Sequence, residues 1–307
     1  MDRYIASYTQ LIFLMDSIKK SYKSFKRLLK RHPFFHFFRC FVITRKPSRQ
    51  IFLDEAINNY NSKRSIPPSF IAENSKIACP EKGSFNKAIA IARFMRSSYT
   101  GGRGLGYSSA ETLAIMKAHQ GGVCSDFSQL MINFCVLNDV PVREWSLSEK
   151  LYGTFGHVFN EVYSDELQKW VLLDVGKSFY FIHGQTKQPL STIEYIDLLT
   201  ADQGNLVSTV NIFTSEEDET IKQAKIVQLS YFNKSHVFFL VSNYRIWLFD
   251  QVLKFRKFSP LPVLHFMLIS IGGYYKYHFY INQFNLASTR SQLIRIGRKN
   301  YGAEFLD

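Results

Sequence analysis

The chain has 307 residues, 46% of them hydrophobic, so it is long and apolar enough to bury a core, which argues against a disordered chain. Its four cysteines, Cys40, Cys79, Cys124 and Cys135, form no CxxC pair and do not alternate with histidine at ligand spacing; that argues against a zinc site and a disulfide framework and fits a reducing compartment. The net charge of +13 is concentrated at the two ends: residues 1–50 hold twelve Lys and Arg against Asp2 and Asp16, residues from 240 onward hold nine against Asp250, Glu304 and Asp307, and the segment between is slightly acidic.

Residues 1–50 read as a basic amphipathic and aromatic N-terminal segment. Ile5, Tyr8, Leu11, Ile12, Met15, Ile18, Tyr22, Phe25 and Leu29 recur at helical spacing, Lys and Arg fill most other positions, and the run from His32 to Phe38 is strongly aromatic. Such a segment suits a membrane interface. The apolar stretch from Leu11 to Met15 is too short for a secretory signal. Residues 51–79, with clustered Asn, Ser and Pro, read as a linker with room for one short helix. A domain is expected over residues 80–200. Ser84 is the expected cap of a helix carrying Ala88, Ile89, Ile91, Ala92 and Met95, ended by the glycine-rich run Gly101–Gly106, which reads as a loop near the site rather than a nucleotide fingerprint. Ser109 to His119 reads as a second helix.

Gly121 and Gly122 precede Val123 and Cys124, and Cys124 opens a helix with Phe127, Leu130, Met131, Phe134 and Val136 on its apolar side, stopped by Asn138, Asp139 and Pro141. Three strands are expected at Val142–Leu147, Gly156–Tyr163 and Lys169–Val175, the last two forming an antiparallel hairpin about residues 164–168. The fold class is therefore α+β, a cysteine-bearing helix packed on an antiparallel sheet. Residues 201–307 are expected to be a C-terminal extension with strand-like stretches at Ile226–Phe232, Val237–Ser242 and Arg245–Phe249. Within it, Phe258–Tyr275 has no charged side chain, and its prolines and glycines favour an interfacial segment over a straight membrane span.

A cysteine at a helix start sits where the helix dipole and orphaned N–H groups favour the thiolate. His157, near the start of its strand, is the expected imidazole partner, and the hairpin brings Asp174 beside it to accept the ring N–H and fix the tautomer. The backbone N–H of Cys124 is the expected oxyanion donor. Glu161, four residues beyond His157, reads as a structural hydrogen bond or ion pair, and Asp126 as a favourable charge at the helix start.

Gly122-Val123-Cys124, then His157-Val158-Phe159-Asn160-Glu161, then Trp170-Val171-Leu172-Leu173-Asp174 resemble, in that order, the core pattern of the transglutaminase-like, papain-like cysteine superfamily, in its bacterial type. The resemblance covers roughly residues 80–180. It implies a papain-like core in which Cys124 attacks a carboxamide carbonyl, His157 moves the proton, Asp174 orients His157, and water or an amine resolves the thioester. Animal members place Gln directly before the cysteine; here that position is Val123, so Gln120 is the side-chain oxyanion candidate. Gly122, Phe159 and Trp170 are candidates for the substrate cleft, with Trp170 equally readable as core. No cofactor and no metal are expected.

The expected partner is an amide- or amine-bearing substrate, of the amino-sugar, peptide or lipid-linked kind that the resemblance implies for surface-polysaccharide pathways. Residues 1–50 and 254–276 are expected to meet an anionic membrane surface, giving a cytoplasmic protein peripherally attached to the membrane's inner face. Nucleic acid is not expected, because the basic residues lie beside long apolar runs. The competing expectations are a protease or peptide amidase of the same fold and a non-catalytic, membrane-attached scaffold.

Overall fold

The computed structural model describes residues 63–79, 82–104, 107–148, 156–213, 236–241 and 277–280. In chain order the elements are α1 (Pro68–Asn74), α2 (Ser84–Ser98), α3 (Ser109–Lys117), α4 (Cys124–Leu137), β1 (Val142–Ser148), β2 (Gly156–Ser164), β3 (Lys169–Asp174), β4 (Phe179–His183), α5 (Thr192–Thr200), β5 (Val207–Asn211), β6 (Val237–Val241) and β7 (Tyr277–Tyr280), with short 3-10 turns at Lys63–Ser65 and Gly204–Leu206. The strands form a seven-stranded sheet in the order β5-β4-β3-β2-β1-β6-β7, antiparallel at every pairing. This mixture of helices and antiparallel sheet is α+β.

Strand alternation divides the core into two layers. Val142, Val162, Val171 and Leu173 join Ile91, Ala92, Met95, Leu130, Met131 and Phe134 in the cluster formed with helices α1 to α4. Trp145, Leu147, Phe159, Leu172, Phe179 and Phe181 take the other parity and pack with Ile193, Tyr195 and Ile196 of α5. Helix α5 starts sharply at Ser191, whose hydroxyl accepts from Glu194 N–H while the Glu194 carboxylate accepts from Ser191 N–H. Helix α4 ends where Asn138 donates its side-chain amide to Phe134 O at 2.8 Å and Asp139 turns to φ +56°.

Three expectations change. Residues 63–79, placed in the linker, are in their described part folded: Phe70 is fully buried against Phe134 with ring centroids 5.1 Å apart. Pro67 and Pro68, which read as linker residues, occupy the cap and first position of α1, where a fixed φ and a missing N–H suit a helix start. The boundary near residue 200 does not divide the sheet, since β5, β6 and β7 extend it on both sides. Ser84 does not cap its helix; Gly83 holds that position, and Ser84 Oγ instead donates to Tyr163 O at 2.7 Å and accepts Asp165 N–H at 2.8 Å, tying α2 to the β2–β3 turn.

The expected segments at residues 1–50, Ile226–Phe232, Arg245–Phe249 and Phe258–Tyr275 lie outside the described residues. Among the described residues no helix is long and apolar enough to cross a membrane.

Candidate active site

The loop before α4 is built from backbone that only glycine adopts easily. Gly121 and Gly122 have φ of +137° and +138°, and the Gly122 N–H donates to Arg103 O at 2.8 Å while Gly102 N–H donates to Gly122 O at 2.7 Å. The glycine-rich run thus pairs edge to edge with the pre-cysteine loop. A Cβ on Gly102 would come within 3.0 Å of Gly121 Cα, so the close approach requires glycine. Val123 is then extended, and its N–H is accepted by the Asp126 carboxylate at 2.9 Å. That bond makes Asp126 a helix-start anchor. Cys124 becomes the first residue of α4, half-buried, with its own N–H among the first-turn donors that have no acceptor within the helix.

His157 and Asp174 arrive from the sheet. The β2–β3 register runs from Ser164↔Lys169 to Asn160↔Leu173, which carries Asp174, the last residue of β3, alongside the start of β2. His157 Nε2 lies 2.5 Å from Asp174 Oδ2, with both side chains buried. The second carboxylate oxygen of Asp174 accepts Lys177 N–H at 3.0 Å from the turn after β3. The His157 ring also hydrogen-bonds Cys124. Since Nε2 serves Asp174, Nδ1 is the nitrogen left for sulfur, and the imidazole bridges acid and thiol. Burial works to lower the His157 pKa, but the charge and hydrogen bond of Asp174, with smaller contributions from Cys124, outweigh it and hold the imidazolium up to about 10.

Gly176, in the turn after Asp174, forms the near wall of the site. A Cβ there would sit 3.4 Å from Asp174 Oδ1, 3.5 Å from Cys124 Cα and 3.7 Å from its Cβ. The sequence offered one signal for it, a glycine directly after the Asp174-Val175 pair at the end of a strand.

Other candidates fall elsewhere. Gln120 is an exposed residue of the turn after α3, held there by its N–H to Ile115 O at 3.1 Å, and the structure places no bond from its side chain toward Cys124. Gly122 is buried against Met116 and shapes the loop. Phe159 is 1% exposed within the layer under α5, its ring stacked beside His157 at 6.3 Å between centroids; it backs the imidazole. Trp170 is buried too, edge-on to Tyr163 and covered by the Arg143 guanidinium at 4.1 Å from the ring centroid, so of its two readings the core one fits.

Glu161 is paired as read from the sequence. It accepts Arg143 Nε–H at 2.6 Å, Trp145 Nε1–H, and on its other oxygen Thr192 N–H at 2.7 Å from the first turn of α5. Beneath the first turn of α4, Ser128 Oγ donates to Glu144 at 2.9 Å and accepts from Asn160 at 3.0 Å, pinning the cysteine helix to β1 and β2. Among the other described cysteines, burial pushes the thiol of Cys79 up and that of Cys135 well up. No group of His, Cys, Asp and Glu among the described residues is arranged to hold a metal ion.

With this arrangement in view, residues 73–175 match the family model of the transglutaminase-like superfamily. Over this segment the chain is similar to a transglutaminase-like core. The match takes in α2, α3, α4 and β1 to β3 and ends one residue after Asp174. Members of the superfamily are commonly cysteine enzymes of acyl transfer or hydrolysis. Neither the comparison with curated proteins nor that with solved structures gives a match.

Proposed function

We infer that the chain is a cysteine enzyme of amide or acyl groups, acting through a thioester on Cys124. The observation that carries the reading is the buried Asp174–His157 pair, 2.5 Å apart, behind a half-buried Cys124 hydrogen-bonded to the same ring. An imidazole held protonated beside a thiol at a helix start favours the thiolate–imidazolium pair. Sulfur then attacks the carboxamide carbonyl, the developing oxyanion meets the Cys124 N–H, and the imidazolium gives its proton to the departing amine. The neutral ring next takes a proton from water or from a second amine, which attacks the thioester and frees the sulfur. Asp174 keeps the ring oriented throughout. Water makes the protein an amidase or protease; an amine makes it an acyltransferase. The substrate proposed is an amide on a peptide, amino sugar or lipid-linked intermediate, met at an anionic membrane surface through the basic ends of the chain.

The test is intact-protein mass spectrometry after limiting iodoacetamide between pH 5 and 9. Alkylation selective for Cys124 well below pH 8, lost in His157→Ala, is the expected result. Cysteines that react alike would leave a non-catalytic scaffold. Product mass then separates the two acceptors, since transfer leaves an amine adduct and hydrolysis an acid.

A further inference from the structure

Arg96, in the last turn of α2, takes no part in the steps above, yet it touches both halves of the site. Its guanidinium lies over the Phe127 ring, 4.7 Å from the centroid, and Phe127 is three residues beyond Cys124 on α4. Its Nε–H donates to Ser178 Oγ at 2.9 Å, and Ser178 closes the turn that begins at Asp174. Ser178 sits at φ +64°, a left-handed conformation that strains a non-glycine residue. Its N–H reaches Val175 O at 3.3 Å and its carbonyl accepts Ile212 N–H at 3.0 Å. On the inner side, Lys177 N–H reaches both the carbonyl and the Oδ1 of Asp174. A shift of Ser178 therefore moves the segment that aims the carboxylate at His157 and that lays Gly176 against Cys124.

Resting on the Cys124–His157–Asp174 reading, we propose that Arg96 is a positioning residue, a clamp that fixes the cysteine helix against the turn carrying the acid. Arginine suits the task because its planar fork stacks on a ring by its face while donating from its edge. Lysine carries the charge but cannot do both. Burial lowers the Arg96 pKa and the Asp174 charge raises it, in keeping with a guanidinium lying close to the carboxylate. One turn earlier, Arg93 donates to Ile212 O. It ties the same helix to the end of β5 and reaches Ser178 only indirectly, through the Ile212 N–H on Ser178 O, which makes it the graded comparison.

The experiment compares alkylation of Cys124 by iodoacetamide in full-length wild type, Arg96→Met, Arg96→Lys and Arg93→Met, with rates corrected to the folded fraction and followed from pH 5 to 9. Arg96→Met is expected to slow alkylation at neutral pH about tenfold, within the hundredfold that an ångström of misplacement can cost, and to change its dependence on pH. Arg96→Lys is expected to recover only a minor part of the rate. Arg93→Met is expected to lose stability and to slow alkylation less than Arg96→Met, because it reaches Ser178 only through Ile212. Ser178→Ala should slow alkylation too, and in combination with Arg96→Met add little, because both break one contact.

A wild-type profile in Arg96→Met, or full recovery by lysine, overturns the clamp. Wild-type Cys124 that is itself unselective overturns the underlying catalytic reading instead.

Discussion

Glu161→Gln tests how the sheet is held behind the site. Glu161 and Arg143 are 0% and 1% exposed, and the two oxygens of Glu161 serve three donors: Arg143 Nε–H and Trp145 Nε1–H on one, Thr192 N–H on the other. Glutamine keeps the shape but has one acceptor oxygen. Whichever way it turns, an NH2 faces a buried donor, at a cost of about 1–3 kcal/mol. Arg143 also loses its partner's charge, and together these place the change in the range of about 3–5 kcal/mol found when one half of a buried ion pair is removed. With a urea slope of about 2 kcal/mol/M, the unfolding midpoint falls by roughly 2 M, a large share of an ordinary domain's stability. Urea titrations by tryptophan fluorescence and by circular dichroism give the midpoint. Arg143→Met with Glu161→Leu is expected to cost less than Glu161→Leu alone, because both lose the bonds from Trp145 and Thr192 but only the single change strands the Arg143 charge. A midpoint shift under about 0.5 M for Glu161→Gln, worth roughly 1 kcal/mol at that slope, would refute this account of the network.

The raised His157 pKa sets a pH dependence. A folded-state value near 10 against an ordinary 6.5 means that the stabilisation is fully present below pH 6.5 and is lost as pH rises through about 10; urea midpoints should fall over that window in wild type and fall less in Asp174→Asn. Gly122→Ala forces an L-residue to φ +138° and brings its Cβ to 2.8 Å from Met116 Cε; a loss of about 1–3 kcal/mol with slower Cys124 alkylation is expected by thermal melting and mass spectrometry. Ser84→Ala strands Tyr163 O and Asp165 N–H and should cost about 1–3 kcal/mol while leaving the alkylation profile unchanged.

The parts of the fold that were legible in sequence are those in which local signals agree. The α4 start showed because two glycines and an apolar periodicity meet at Cys124, and β2 and β3 showed because alternating residues flank a polar turn at 164–168. Their pairing then placed His157 by Asp174 with no further information. What stayed hidden depends on contacts between distant segments. Strand β4 is five residues long and takes its place from pairing with β3 and β5. Phe159 shares the parity of His157, so the sequence left it facing the site; only α5, lying across that layer, makes it core. Pro67 and Pro68 read as breakers because the burial of Phe70 one turn later is a tertiary fact. Arg96 gave no signal at all, since a basic residue in a last helical turn is ordinary helix chemistry.

The order of the strands carries a consequence for synthesis. The thiol, imidazole and carboxylate are all in the nascent chain by Asp174, but β1 finds its outer neighbour only at Val237–Val241, and β3 finds its own at Phe179–His183. Until then both flanks of the three-stranded piece present open hydrogen-bonding rows, the template for intermolecular pairing. Expression of residues 73–175 alone would therefore yield a chain that holds every reactive group and aggregates through its own β1 and β3. The proposed chemistry would then depend on a strand, β6, translated well after the residues proposed to perform it.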